Sequence, residues 1–365
     1  MFFNTASSDH VVIRMSSFVN QACSESCYIL TVSDPILPFA GQLDYLLKAI
    51  STLPHDELVP VFMRFYLSDA ANQTALLKER IGESCPVSIV GQAPLDGSKI
   101  AAWVWLRRGA CVRRISACRH MVNWAGTDEY WFTGGLSGAD GSFNQTVMIF
   151  DGLCGALEEQ GMTLETDCVR TWLFVQNIDV NYKGVTDARN SVFDRHNLTP
   201  KTHFIASTGI EGRTELHRNL VMLDAVSVKG PGIAVSHLYG TSHLNRTSEY
   251  DVRFERGSVV GYGGFRHVFI SGTASIDNRG RIMYEGDIVR QTERMIENVG
   301  VLLAEAGCGF ADVAAMTVYL RDPADYRIVN RIFNERFPDY PFVITLAPVC
   351  RPGWLVEMEC LAIAD

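Results

Sequence analysis

One cadence of segments recurs three times along this chain, and an internal repeat decides architecture before any local motif does. The clearest pass runs "HVFISGTASID", "DIVRQTERMIENVGVLLAEAG", "VAAMTVYLRDPADY", "RIVNRIFNERF", "FVITLAPVC" and "WLVEMECLAIA", which reads as strand, helix, strand, helix, strand, strand. In its long helix Ile288, Thr292, Met295, Ile296, Val299, Leu302 and Leu303 form one apolar stripe, opened by Asp287 and closed by Gly307. The middle of the chain repeats the order in "EYWFTGGLSG", "NQTVMIFDGLCGALEEQG", "VRTWLFVQNIDVNY", "VTDARNSVFDRH", "HFIASTGI" and "RNLVMLDAVSV". The first part repeats it in compressed form, from "CYILTVS" to "KIAAWVWLR". The third segment of each pass closes on an aspartate: Asp69, Asp179 and Asp322. We divide the chain into a degenerate first unit, 1–117, a second unit, 118–235, and a third unit, 236–365.

Each unit is a β-sheet with two helices that are apolar on one side, so the helices cover one face of the sheet and the other face needs a partner. Three copies in one chain supply it. The predicted class is α+β, with three sheets packed about a pseudo-threefold axis as three subunits of a homotrimer would be, so that a monomer is complete. Grooves between units then become the natural small-molecule sites.

Composition narrows the functions. The 365 residues are 47% hydrophobic and 20% charged, as in ordinary globular chains. No run of eighteen apolar residues is present, which argues against a membrane span. A net charge of −9 without a basic run argues against a nucleic-acid platform. It also means that a small anionic substrate would have to be held by local arginines against the overall field. Ten cysteines without a CxxC pair, and no signal peptide, fit a reduced cytoplasmic chain. The nine histidines form no HxxxH or HExxH pattern, so no metal site is expected, and nothing calls for an organic cofactor.

The third unit, with "ISGTASI", "VYLRDPADY" and "CRPGWLVEMECLAI", resembles the YjgF/RidA family, whose members form trimers with ligand sites at subunit interfaces. Ordinary RidA proteins hydrolyse enamines and imines and hold a substrate carboxylate with an arginine on the strand before the last. That position falls near Ile344 in the third unit and at Ser207 in the second. A closer resemblance is to the chorismatases, single-chain relatives of the YjgF trimer. Cys350 and Glu357 are spaced like a cysteine and a catalytic glutamate of the 3-hydroxybenzoate-forming type. "YKGVTDAR" sets Tyr182 and Arg189 like the Y-x-x-F-x-x-G-R segment, with Val185 where an aromatic is usual and Ala188 in place of the glycine. "ASTGI" and "SGTASI" are similar to the family's P-A-A-T-x-I-G and G-T-A-S-I strands, although "DNRG" replaces the polar segment that follows the second.

The resemblance implies removal of pyruvate from chorismate by cleavage of its enol ether, giving 3-hydroxybenzoate or a dihydroxycyclohexadiene carboxylate. Such a step needs a proton on carbon, hence a general acid that keeps its proton near neutrality. Glu357, flanked by Leu355, Val356 and Met358, is the expected acid, and Glu359, on the same face of the strand, has a structural or tuning role. Arg189 would clamp a carboxylate and Tyr182 would hydrogen-bond the same group or the ring hydroxyl. Cys350 would shape the pocket or act as an acid–base. Thr208, Thr273 and Ser275 would touch substrate from the two motif strands, and Arg266 or Arg213 would complete a second carboxylate site. By residue type alone, Glu357 reads as an edge-strand carboxylate and Tyr182 and Cys350 as packing, while Arg189 reads equally as half of a surface ion pair. A RidA-type deaminase and a non-catalytic small-molecule-binding protein of a biosynthetic pathway are the rival functions.

Overall fold

The computed structural model describes residues 1–55, 57–250 and 252–365. The first unit comprises strands β1 (Phe2–Ser8), β2 (Val11–Val19) and β3 (Ser24–Val32), helix α1 (Phe39–Ser51), β4 (Leu58–Leu67), α2 (Ala70–Arg80), β5 (Val87–Gly91) and β6 (Ile100–Arg108). The second comprises β7 (Cys111–Ser116), β8 (Arg119–Trp124), β9 (Thr127–Gly135), α3 (Gly141–Glu158), β10 (Cys168–Val175), α4 (Ile178–Arg195), β11 (Ala206–Glu211) and β12 (Val221–Lys229). The third comprises β13 (Ala234–Leu238), β14 (Gly257–Gly261), β15 (Arg266–Ala274), α5 (Ile288–Glu305), β16 (Val313–Leu320), α6 (Tyr326–Arg336), β17 (Phe342–Leu346) and β18 (Val356–Ala364).

Each unit folds into one six-stranded sheet, and the strand orders β1-β2-β3-β6-β4-β5, β7-β8-β9-β12-β10-β11 and β13-β14-β15-β18-β16-β17 are the same topology three times. The last strand lies inside the sheet, and the strand before it is a parallel edge. The sheets change between Arg108 and Cys111, so the first boundary lies earlier than 117. The stretch from Cys111 to Trp124 pairs as a hairpin with the second sheet rather than trailing from the first. Helix α4 also starts well before the expected "VTDARNSVFDRH", at Ile178, because β10 ends at Val175 and Glu211 accepts the Asn177 and Ile178 N–H groups.

The helices carry the predicted stripes. In α5, Met295, Val299, Leu302 and Leu303 are buried, Asp287 accepts the Arg290 N–H at the start, and Gly307 takes a positive φ just past the end. The opposite sheet faces meet one another. Phe62, Trp105, Trp131, Trp172, Phe174 and Phe269 from all three units join one apolar cluster, with Trp131 stacked 4.7 Å from Phe62. The sheets are stitched at Gly91 with Arg213, at Pro94 with Thr345, and at both Ile210 with Val349 and Ala206 with Glu255, so that every pair of units is bridged.

Matching registers make positions comparable across units. Ala101, Met222 and Glu357 are equivalent, lying opposite Tyr66, Phe174 and Tyr319. Trp103, Asp224 and Glu359 are equivalent two residues further on. Asp224 and Glu359 are each held from the preceding unit. Arg64 donates to Asp224 at 3.0 Å, while Arg170 donates to Glu359 at 2.6 Å. Buried carboxylates demand such partners, since an unpaired charge there costs several kcal/mol.

Candidate active site

The groove between the second and third units contains a cavity of about 440 Å³. Helix α4 brings Tyr182 and Arg189, which are seven residues and two turns apart and so lie on one face. Strand β11 contributes Ser207 and Gly209, β15 contributes Gly272 and Ala274, and β18 contributes Glu357. The turn before β18 supplies Cys350 and Trp354. Tyr182, Arg189, Cys350 and Glu357 therefore share one cavity, which their sequence separation does not require.

Close approaches make the arrangement depend on glycine. A Cβ at Gly272 would overlap Glu357 Oε1, and one at Gly209 would come within 2.9 Å of the Tyr182 ring. The Glu357 side chain is 5% exposed. Burial, reinforced by the negative charge of Glu359 and opposed by Arg256 and Arg170, pushes its pKa up to about 8. At neutral pH it is a protonated acid. The Cys350 thiol is pushed up to about 12 by burial and by Glu357, so it is no thiolate nucleophile. The Tyr182 hydroxyl is raised well above its ordinary value by burial and by the neighbouring Cys350.

Two buried arginines frame the acid. Arg189 is 1% exposed on α4, and Arg256, 4% exposed, stands just before β14, where its carbonyl accepts the Ser271 N–H. Arg256 also donates to the Asn245 carbonyl. Sequence reasoning missed Arg256, since a loop arginine carries no periodicity; the only signal was a charged Glu255-Arg256 pair opening an otherwise apolar strand. Phe254 and Trp354 also line the cavity unforeseen. Arg351 also lines the cavity, with its guanidinium 4.8 Å from the Trp354 ring.

Four expected contact residues lie elsewhere. Thr208 sits between Ser207 and Gly209, so strand alternation turns it away from the cavity. Its hydroxyl accepts from Arg170 and donates to Glu359. Thr273 and Ser275 alternate with Gly272 and Ala274 in the same way. Thr273 lies opposite Met358 and donates to the Ser271 carbonyl, while Ser275 donates to the Met283 carbonyl. Arg266 opens β15 at the far end and donates to the carbonyls of Asp365 and Gly307. Arg213, the alternative, stands 3.5 Å from Glu211, outside this groove. The RidA arginine position also shifts: Ile344 pairs with Val318 as Gly209 pairs with Leu173, so the counterpart of Ile344 is Gly209 rather than Ser207.

Among the described residues no cluster of three or more His, Cys, Asp or Glu side chains could hold a metal ion, and no helix is long and apolar enough to cross a membrane. Residues 259–364 match the protein family described as Endoribonuclease L-PSP. A crystal structure of a chorismatase superposes with a TM-score of 0.68 at 18% identity, covering 94% of this chain and all of that one. The chain has the chorismatase fold, within the YjgF/RidA superfamily.

Sequence relatives align with a quarter of the chain. A RutC family protein of Pyrococcus abyssi is 36% identical over 97 residues, 26% of this chain and 76% of its own. The human 2-iminobutanoate/2-iminopropanoate deaminase is 30% identical over 100 residues, 27% of this chain and 73% of its own. One chorismatase-fold molecule thus carries a single glutamate at a position where its other two units have Ala101 and Met222.

Proposed function

We propose that this chain is a chorismatase-like enzyme that cleaves the enolpyruvyl ether of chorismate and releases pyruvate, with Glu357 as general acid. The observation that carries the reading is a protonated, buried carboxylic acid in a cavity framed by two buried arginines. A dicarboxylate enol ether needs that pairing of one acid and two cations. Arg189 takes one carboxylate with its planar fork and Arg256 the other, a geometry that lysine does not offer.

Protonation of the terminal methylene carbon by the Glu357 carboxyl produces an oxocarbenium ion, and Glu357 becomes the carboxylate. Water or a ring hydroxyl then adds to the cationic carbon and gives up its proton to Glu357. When water adds, collapse of the hemiketal breaks the bond between that carbon and the ether oxygen, which takes a proton, and pyruvate leaves the dihydroxycyclohexadiene carboxylate. When the ring hydroxyl adds, that bond and the ring C–O bond of the attacking hydroxyl both break, and pyruvate departs with the hydroxyl's oxygen. The ring carbon bearing the ether oxygen loses its proton as that oxygen gains one, leaving 3-hydroxybenzoate. The desolvation that keeps Glu357 protonated in the ground state also strengthens its attraction, once ionised, to the cation beside it. Cys350, neutral and lining the cavity beside Tyr182, excludes water from one side of the ring. This favours 3-hydroxybenzoate over the dihydroxycyclohexadiene carboxylate.

The deaminase among the sequence relatives favours one rival, hydrolysis of a small imine. Against it stand Ile344 and Gly209 at the position where RidA proteins carry their arginine. Incubation with chorismate and an assay of pyruvate separates the two, with semicarbazide trapping to reveal an imine reaction. The proposal expects pyruvate from chorismate that is lost in Glu357→Gln; no pyruvate, or release unaffected by the substitution, overturns it.

A further inference from the structure

Strand β15 has one residue too many where it passes the acid. Its ladder with β18 runs from Ile270 opposite Cys360 to Thr273 opposite Met358, three steps against two, so Ser271 and Gly272 form a bulge. Their N–H groups turn off the ladder. Ser271 donates to the Arg256 carbonyl, and Gly272 donates to the Thr208 hydroxyl at 2.9 Å.

The Thr208 hydroxyl, on a residue that is 1% exposed, is fully used. It accepts from Gly272 and from Arg170 and donates to Glu359, which occupies its two lone pairs and its one proton. It therefore ties β11, β15 and β18 together at the point where the Gly272 backbone lies against the Glu357 carboxyl. The neighbouring seam shows that the fold does not require this. There Ser88, Gly134 and Asp224 occupy the positions of Thr208, Gly272 and Glu359. The Gly134 N–H donates straight to Asp224 at 2.7 Å, and Ser88 donates separately to the same carboxylate. In the third seam Val343 takes that place. Among the described residues, a hydroxyl stands between glycine and carboxylate only beside Glu357.

We propose that Thr208 is a positioning residue for the reaction inferred above, a role that rests on Glu357 being its acid. The hydroxyl fixes the bulge, and the bulge braces the Glu357 carboxyl and keeps water from behind it. A carboxyl that must deliver its proton to carbon needs that fixed placement. Desolvation also keeps Glu357 protonated, so a loosened bulge that admits water lowers its pKa.

Thr208→Val keeps the shape and removes the acceptor, whereas Thr208→Ser keeps the acceptor. In the full chain, Thr208→Val is expected to lower kcat for pyruvate release about tenfold with KM for chorismate within about twofold, and Thr208→Ser to restore kcat. Independently of turnover, NMR of chains labelled at the glutamate side-chain carboxyl carbon reads the titration of Glu357, identified by its loss in Glu357→Gln. Its midpoint is expected to fall by about one pH unit in Thr208→Val and to stay in Thr208→Ser. Should Thr208→Val not fold, Thr208→Cys, whose thiol is a weak acceptor, is read in the same way. A midpoint unmoved by loss of the hydroxyl, or moved equally in Thr208→Ser, overturns the proposal even where pyruvate is released. No pyruvate from wild type, with the midpoint moved as expected, overturns the chorismate reading and upholds the role of Thr208.

Discussion

Glu357 titrates in the wrong place for a surface carboxylate, and its pH behaviour is the most direct handle on the site. The general acid must be protonated, so kcat/KM for chorismate is expected to hold steady through neutrality and to fall about tenfold per pH unit above about 8. A pH–rate profile checks this. Glu357→Gln is expected to lower kcat by roughly 10² to 10⁴ while leaving the chain folded. Stability supplies an independent reading. The folded pKa of about 8 exceeds the ordinary 4.5, so between those values the unfolded chain has released a proton that the native chain retains. Over that window native stability should drop by about 1.4 kcal/mol per pH unit from this group alone. Urea unfolding at several pH values should therefore show wild type losing ground to Glu357→Gln as pH rises, and parallel curves would mean that the carboxyl is not held protonated.

At the level of elements, the site rests on strands that approach without side chains between them. Gly272→Ala is expected to displace the Glu357 carboxyl and reduce kcat at least tenfold with little loss of fold, because β15 has no strained φ at that position and the atoms that the added methyl meets, those of Glu357 and Thr208 Cγ2 at 3.0 Å, belong to side chains rather than backbone. Circular dichroism and pyruvate assays measure the two halves of that claim. Elements also mark where sequence was readable. The stripe of α5 and the seven-residue spacing of Tyr182 and Arg189 were legible, since helical periodicity fixes a face from one chain alone. Strand faces were not: Thr208, Thr273 and Ser275 sit one residue from cavity positions, and a period of two turns a one-residue uncertainty into the opposite face. Arg256 was invisible for another reason. It stands in a loop, and only the packing of three sheets decides what a loop residue meets.

For the molecule as a whole, three internal sheets satisfy one another, and light scattering is expected to give the mass of a single 365-residue chain. The seams carry the cost of burying carboxylates. Arg170→Met leaves Glu359 with Thr208, Trp172 and the Arg64 guanidinium at 3.6 Å but without its closer cation, and should destabilise the fold by about 3 kcal/mol in urea titration at pH 7. The threefold plan was legible because a repeat survives compression, whereas the unequal fate of its grooves depended on single residues at Ala101, Met222 and Glu357. In a homotrimer one codon change alters three grooves together, so a substitution that closes one pocket closes all. With the three units in one chain each groove has its own codons. Mutation can fill the groove at Ala101, change the one at Met222 and sharpen the one at Glu357 without any trade between them.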